Sequence, residues 1–257
     1  MLQILVLLVQ FHKTVTIEKL ATVFPQPILF ESRRRSIQKF LLLPQLSIQH
    51  LWFPLLKRWV KNSQFSRDKK LILAIDRTQW REQNVFVISL IEQKRAIPIY
   101  WLLLSKREAS NLGEQKKLIR PLPRLFKGYQ LLVVGDREFH SVKLANWLHS
   151  KKINFVLRQK QGTYIRSENQ AFQRLQSLGL NPGVSLFLTG IQATKQKGFA
   201  KFNLGGYSKR KYRGKLESAG WFLLTNLDSL ADAIKAFKLR SGIEAMFKDC
   251  KTGGYKS

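Results

Sequence analysis

The sequence predicts an α/β fold with a β-rich insertion, preceded by a small all-α N-terminal region. Three observations carry that expectation. Hydrophobic residues recur through residues 1–62 without strand alternation. From residue 71 the pattern changes to short runs rich in Ile, Val and aromatics. Beyond residue 110 such runs alternate with helix-like stretches.

The N-terminal region is punctuated by Pro25, Pro27, Pro44 and Pro54, which break it into short helices. Its opening run MLQILVLLV (1–9) is too short to span a bilayer and lacks a basic start and a small-residue cleavage site. It reads as a first, buried helix. Residues 30–43 read as another helix, with Arg33, Arg34 and Arg35 near its start. These form either a phosphate-gripping patch or a solvated face.

A polar stretch, SQFSRDKK (63–70), precedes three apolar runs, LILAI (71–75), NVFVISLI (84–91) and AIPIYWLLL (96–104). Short polar links join them, which predicts a three-stranded antiparallel meander. Residues 114–126 read as a helix interrupted at its prolines, and LLVV (131–134) as a fourth strand. SVKLANWLHSK (141–151) is a helix opened by Ser141, and INFVLR (153–158) a fifth strand. Three strands, a helix, a strand, a helix and a strand is the order of a ribonuclease-H-like α/β core. Gly, Lys and Arg then rise over about 159–220, where VSLFL (184–188) and FNLGGY (202–207) suggest small inserted strands. WFLLTNL (221–227) is a further strand, and 229–250 reads as one long helix capped by Asp228.

Charge narrows the function. Lys and Arg number 45 against 16 Asp and Glu, a formal +29. Such self-repulsion is relieved by a polyanion, and each neutralised phosphate releases counterions. Nucleic acid is therefore the expected partner, and no membrane is. The single Cys250 excludes an internal disulfide framework and fits a reducing, cytoplasmic setting. Four histidines and one cysteine cannot supply a typical structural zinc site.

The chemistry rests on three carboxylates. Asp76 directly follows LILAI, and Asp136 follows LLVV and one glycine. Acids at such strand ends stand where ligands bind in α/β folds. Alternatively, each pairs with the arginine that follows it, Arg77 or Arg137. Glu244 lies on the last helix. With Arg240 at zero on a helical wheel, Lys251 falls near about 20°, Glu244 near about 40° and Phe237 near about 60°. A carboxylate, a guanidinium and an ammonium on one face suit a site for both metal and phosphate, or else a surface Arg–Glu pair. Three carboxylates from separate segments can hold two hard cations for in-line phosphoryl displacement. No nucleophile elbow and no phosphate-binding P-loop is present.

These residues resemble a known family. DRTQW (76–80), GDREF (135–139) and RSGIEAMFKDCK (240–251) are similar to the three catalytic boxes of bacterial insertion-sequence DDE transposases. The third box is closest to the group with a Tyr–Arg–Glu–Lys signature. Arg240, Glu244 and Lys251 keep its spacing, while Phe237 stands at the Tyr position and lacks the hydroxyl. RAIPIYW (95–101), SNLGEQ (110–115), WFLLTNL and ESRRRSIQKFLLLP (31–44) extend the resemblance over most of the chain.

The resemblance implies catalytic and metal-binding roles for Asp76, Asp136 and Glu244, with Mg²⁺ or Mn²⁺, as two ions. It implies DNA contacts from Arg240 and Lys251. In hairpin-forming relatives a Trp at the place of Trp221 stacks on a flipped base; a core ring is the alternative here. Double-stranded DNA at terminal inverted repeats and target sites, and a homo-oligomer on DNA, are the implied partners. The expected domains are a helical DNA-binding region, 1–65, and a catalytic domain, 66–257, that reads as C-terminally truncated. The competing readings are a nuclease on the same core and an inactive DNA-binding remnant.

Overall fold

The computed structural model describes residues 1–210 and 220–252. The end of the expected insertion, 211–219, and the closing residues 253–257 lie outside the described part. The chain divides into two compact units, one of residues Met1–Trp59 with the segment from Met246 on, the other Val60–Ala245.

The first unit is helical, as its pattern predicts. Helices α1 (Leu2–His12), α2 (Ile17–Val23) and α3 (Phe30–Leu41) precede a π-helical turn (Ile48–Trp52) that runs into α4 (Phe53–Asn62). Leu5, Leu20, Ala21, Phe24 and Ile37 form its core. Helix α1 is not the buried helix its composition suggests. Leu5 is its one buried residue, while Leu7 is 62% and Phe11 83% exposed. An apolar helix laid on a small partner can bury only one stripe. The arginine cluster of α3 also divides its labour. Arg33 donates to the carbonyls of Thr22 (3.3 Å) and Phe24 (3.2 Å), satisfying the end of α2. Arg34 pairs with Glu31 at 3.1 Å, and Arg35 is the exposed member.

The second unit takes in the end of α4 and the short α5 (Phe65–Asp68), then the meander β1 (Lys70–Trp80), β2 (Gln83–Glu92) and β3 (Arg95–Leu104). Two helices follow, α6 (Leu112–Ile119) and α7 (Leu122–Leu125), parted at Pro121. Next come β4 (Gln130–Gly135), α8 (Val142–Ser150) and β5 (Asn154–Arg158). Strands β1 and β4 are parallel, β4 and β5 are parallel, and β2 is antiparallel to both neighbours. The order β3-β2-β1-β4-β5 is the ribonuclease-H-like topology. The unbroken apolar runs of β1 and β4 follow from burial on both faces; Leu73, Ile75, Val133 and Val134 are wholly enclosed.

The inserted strands are β6 (Tyr164–Arg166), β7 (Gln173–Arg174), β8 (Ser185–Ala193) and β9 (Phe202–Tyr207), followed by β10 (Trp221–Thr225). They are not a separate sheet. β10 pairs antiparallel with β5, and the whole forms one ten-stranded sheet, β3-β2-β1-β4-β5-β10-β9-β8-β6-β7.

The expected single last helix is two, α9 (Leu230–Leu239) and α10 (Ser241–Thr252). The start lies one residue later than expected, because Ser229, not Asp228, caps it: its Oγ accepts from Asp232 N at 3.2 Å. The break follows from local contacts. Arg240 N donates to Phe237 O at 3.1 Å, tightening the turn. Gly242 lies against the β2–β3 turn, where an added Cβ would meet the Arg95 carbonyl at 3.3 Å. Helix α9 covers the sheet through Ala233, Ala236 and Phe237, packed with Leu132, Val134, Val156 and Leu223.

Candidate active site

The site forms where the parallel ladder ends. β1 and β4 pair as far as Ile75 and Gly135, so Asp76 and Asp136 are the next residues on adjacent strands. β1 itself continues to Trp80 along β2, with Asp76 opposite Val87. Asp76 is thus inside a strand rather than beyond one, held rigidly where its other neighbour departs. That departure needs Gly135. A Cβ there would fall 2.9 Å from the Phe139 Cβ and 3.2 Å from Leu157, blocking the turn that follows Asp136. The Asp136 side chain accepts from Glu138 N at 2.9 Å and caps the short 3-10 turn Arg137–Phe139.

Neither aspartate pairs with the side chain of the arginine after it. Arg77 contributes its backbone N–H to Asp76 at 2.7 Å. Its guanidinium instead grips Glu138, with Nε at 3.0 Å from Oε1 and NH2 at 3.1 Å from Oε2. Glu138 also accepts from Ser110 N and Oγ, at 3.1 and 3.2 Å. This fourth carboxylate is therefore fully engaged in bracing the turn. Ser110 precedes α6, whose capping box joins Asn111 and Glu114. The SNLGEQ stretch thus has a structural job beside the site.

Arg240, at the α9–α10 junction, joins the carboxylates. One of its nitrogens donates to Asp76 Oδ2 at 3.2 Å, and the other is hydrogen-bonded to Glu244. Arg240 is 14% exposed and Asp76 18%, but Glu244 is 57% exposed. Asp76 is pushed up to a pKa of about 6, first by burial. The Arg77 N–H and Arg240 oppose that rise, while the charges of Asp136 and Glu244 add to it. Asp136 and Glu244 therefore both lie within electrostatic reach of Asp76.

Arg158, at the end of β5, belongs to the same setting and was not legible in the sequence. Its pKa is lowered by burial first, then by Arg137, while Asp136 opposes the shift and Arg240 adds to it. Position is the only signal that could have found it: it ends the strand next to β4. Phe237 is a core residue, 5% exposed. Trp221 is half-buried and packs edge-on against Phe237, with ring centres 4.9 Å apart, and against Tyr207 at 5.7 Å. The Arg240 guanidinium lies 5.8 Å from the Phe237 ring centre, linking this aromatic row to the carboxylates. Lys251 is exposed near the end of α10 and falls in the other unit.

Among the described residues, no three acidic, histidine or cysteine side chains form a ready-made metal cluster. The donor chemistry nevertheless fits a hard divalent cation. The three carboxylates offer only oxygen ligands, and a cation, the Arg240 guanidinium, is already held between two of them.

The fold and site define an α/β domain of ribonuclease-H-like topology with acidic residues gathered at the carboxyl ends of its parallel strands. Residues 67–256 match the family described as "Transposase DDE domain", and the chain belongs to that family. Among solved structures, it is similar to a piggyBac transposase synaptic complex with hairpin DNA, at 13% identity and a TM-score of 0.49. That match covers 96% of this chain and 57% of the other. It is also similar to an Argonaute of Marinitoga piezophila in complex with a 5′-OH guide RNA, at 13% identity and a TM-score of 0.33, covering 88% of this chain and 34% of the other. The chain thus spans little more than half the length of the first of these structures. No curated protein matches it. Among the described residues, no helix is long and apolar enough to cross a membrane.

Proposed function

We propose that this chain is the catalytic part of a bacterial insertion-sequence transposase of the Tyr–Arg–Glu–Lys group, cutting DNA at terminal inverted repeats and joining it to a target. One observation carries the reading: Asp76 and Asp136 stand side by side past the last β1–β4 pair, and Arg240 ties Asp76 to Glu244. Asp76, Asp136 and Glu244 would hold Mg²⁺ or Mn²⁺, as two ions. Bound there, the cations would activate the attacking oxygen and stabilise the leaving one. The chain's own residues do the positioning. β1 and the capped turn at Asp136 fix two carboxylates, and the exposed Glu244 approaches from its helix. Arg137, Arg158 and Arg240 supply positive charge for the scissile phosphate. The helical region 1–65 is the proposed DNA-binding region of a cytoplasmic, nucleoid-associated homo-oligomer, with 66–257 as the catalytic domain.

The test is a strand-cleavage and strand-transfer assay on DNA carrying the inverted repeats that flank the gene, with Mg²⁺ or Mn²⁺ and with chelator. Joined products only with metal are expected. Cleavage without end-joining would favour a nuclease, and binding without cleavage an inactive remnant.

Arg240 and Lys251 are proposed as phosphate contacts. Replacing either with Ala is expected to make the plot of log affinity against log salt shallower by about one. Unchanged slopes for both would favour the alternative, an Arg240–Glu244 pair that makes no phosphate contact.

Trp221 is proposed to stack on a displaced base, an interaction of roughly 1–3 kcal/mol. Its half-buried ring, braced by Phe237 and Tyr207, leaves part of its surface open. Trp221→Ala is expected to spare first-strand nicking and slow the second-strand step, with Trp221→Phe intermediate. Equal slowing of both steps, with a lowered Tm, would make the ring a packing residue only.

A further inference from the structure

A second feature of the same unit lies beyond Asp136. A cleft of about 580 Å³ opens between the start of α8, the turn after β5 and the loop after β8. His140, Lys143, Lys160, Thr163, Tyr164 and Gln196 are among its lining residues. Lys143 and Lys160 are exposed, and neither has an acidic partner among the described residues. Lys195 and Arg174 add two more cations at the rim, 4.2 and 5.4 Å from the Tyr164 ring centre. Arg174 Nε also donates to the Tyr164 hydroxyl at 3.1 Å. His140 donates from Nδ1 to Arg137 O at 2.9 Å, which leaves Nε2 for another partner.

Cations gathered without counter-ions around one concavity repel one another. Lys160 itself contributes to lowering the His140 pKa, after burial. Such an arrangement is stable in company with an anion. The cleft is also continuous with the carboxylate site along the chain. Arg158 senses the Asp136 charge, and Lys160 follows two residues on, roughly 7 Å at most. On the other wall, the turn capped by Asp136 ends at Phe139, directly before His140. A polyanion extended past Asp136 would meet Lys160 and His140 within a few residues of chain, which favours a strand over a small isolated anion.

We propose that this cleft, walled by α8 and the inserted strands, holds the sugar–phosphate backbone of the DNA strand leaving the carboxylate site, with Lys143 and Lys160 as its phosphate contacts. This rests on the reading of the chain as a DNA-processing enzyme. It gives the insertion a function of its own: a second wall for the strand path beside the chemistry.

The test uses the full chain and a fluorescent duplex titrated over a range of salt. Lys143→Ala/Lys160→Ala should make the salt slope shallower by about two, since each lost phosphate contact removes about 0.9. Lys143→Arg/Lys160→Arg should restore it. Lys151→Ala/Lys152→Ala, at the far end of α8, should leave it unchanged. All four lysines are exposed, so folding is not expected to change. A steep wild-type slope that Lys143→Ala/Lys160→Ala leaves unchanged, or that the Lys151/Lys152 pair lowers equally, overturns the cleft assignment alone. A wild-type chain with no salt-dependent DNA binding overturns the DNA reading and the cleft together.

Discussion

Asp76→Asn, Asp136→Asn and Glu244→Gln are each expected to abolish metal-dependent strand cleavage while leaving DNA affinity nearly intact. A cation that stabilises charge in phosphoryl displacement contributes several kcal/mol, so its loss should slow cleavage by roughly a thousandfold or more. Affinity, in contrast, comes mainly from phosphate contacts. Within a chain of +29, one carboxylate more or less changes that term little. The check pairs single-turnover cleavage at saturating Mn²⁺ with a binding titration in chelator. Near-wild-type cleavage by any one variant would remove that residue from the catalytic set. Loss of binding in parallel with cleavage would point to a folding defect, which the urea experiment below separates.

Asp76→Asn is also expected to stabilise the metal-free protein at neutral pH. Burial and two neighbouring carboxylates raise the Asp76 pKa from 3.8 to about 6, despite Arg240. The sign follows from linkage. Between those two values the folded state binds a proton that the unfolded chain releases, so stability falls as pH rises through that window. Above pH 6 the full cost is present, up to about 3 kcal/mol. Asn carries no charge to desolvate, so the variant should gain up to about that amount at pH 7.5. The gain should shrink as pH falls from 6 toward 4. Urea unfolding in chelator at pH 7.5 and 4.5 measures it. A loss of stability at pH 7.5, or an equal gain at both pH values, would contradict the strained-carboxylate account. An inactive variant that is more stable than wild type is the signature of a residue kept for chemistry rather than folding.

Much of the architecture was determined by the sequence itself. Short apolar runs of strand length bounded by polar links suit strands buried on both faces, and LILAI and LLVV lie in β1 and β4. The prolines of the N-terminal region and Ser141 at the head of α8 act through local backbone chemistry, so their effects are readable residue by residue. Asp136, just past LLVV, was legible for the same reason, since a strand's end is a local property and a fixed order of strands and helices leaves few topologies. Asp76 was expected past the end of its strand but lies inside it, because β1 runs on along β2 to Trp80.

Tertiary structure decided the rest, because it depends on groups distant in the chain. Which arginine meets which acid is the clearest case. Adjacent Arg77 reaches Glu138, 61 residues away, and Asp76 is met by Arg240, 164 residues away. In an extended strand, successive side chains point to opposite faces, so adjacency in sequence works against pairing. The division of the last helix at Arg240 depends on how closely Gly242 approaches the β2–β3 turn. The exposure of α1 depends on how little surface its neighbours offer it. Arg158 and the Lys143–Lys160 cleft arise where α8, β5 and the inserted strands come together. No local pattern encodes that meeting, since each residue alone reads as one more cation in a basic chain.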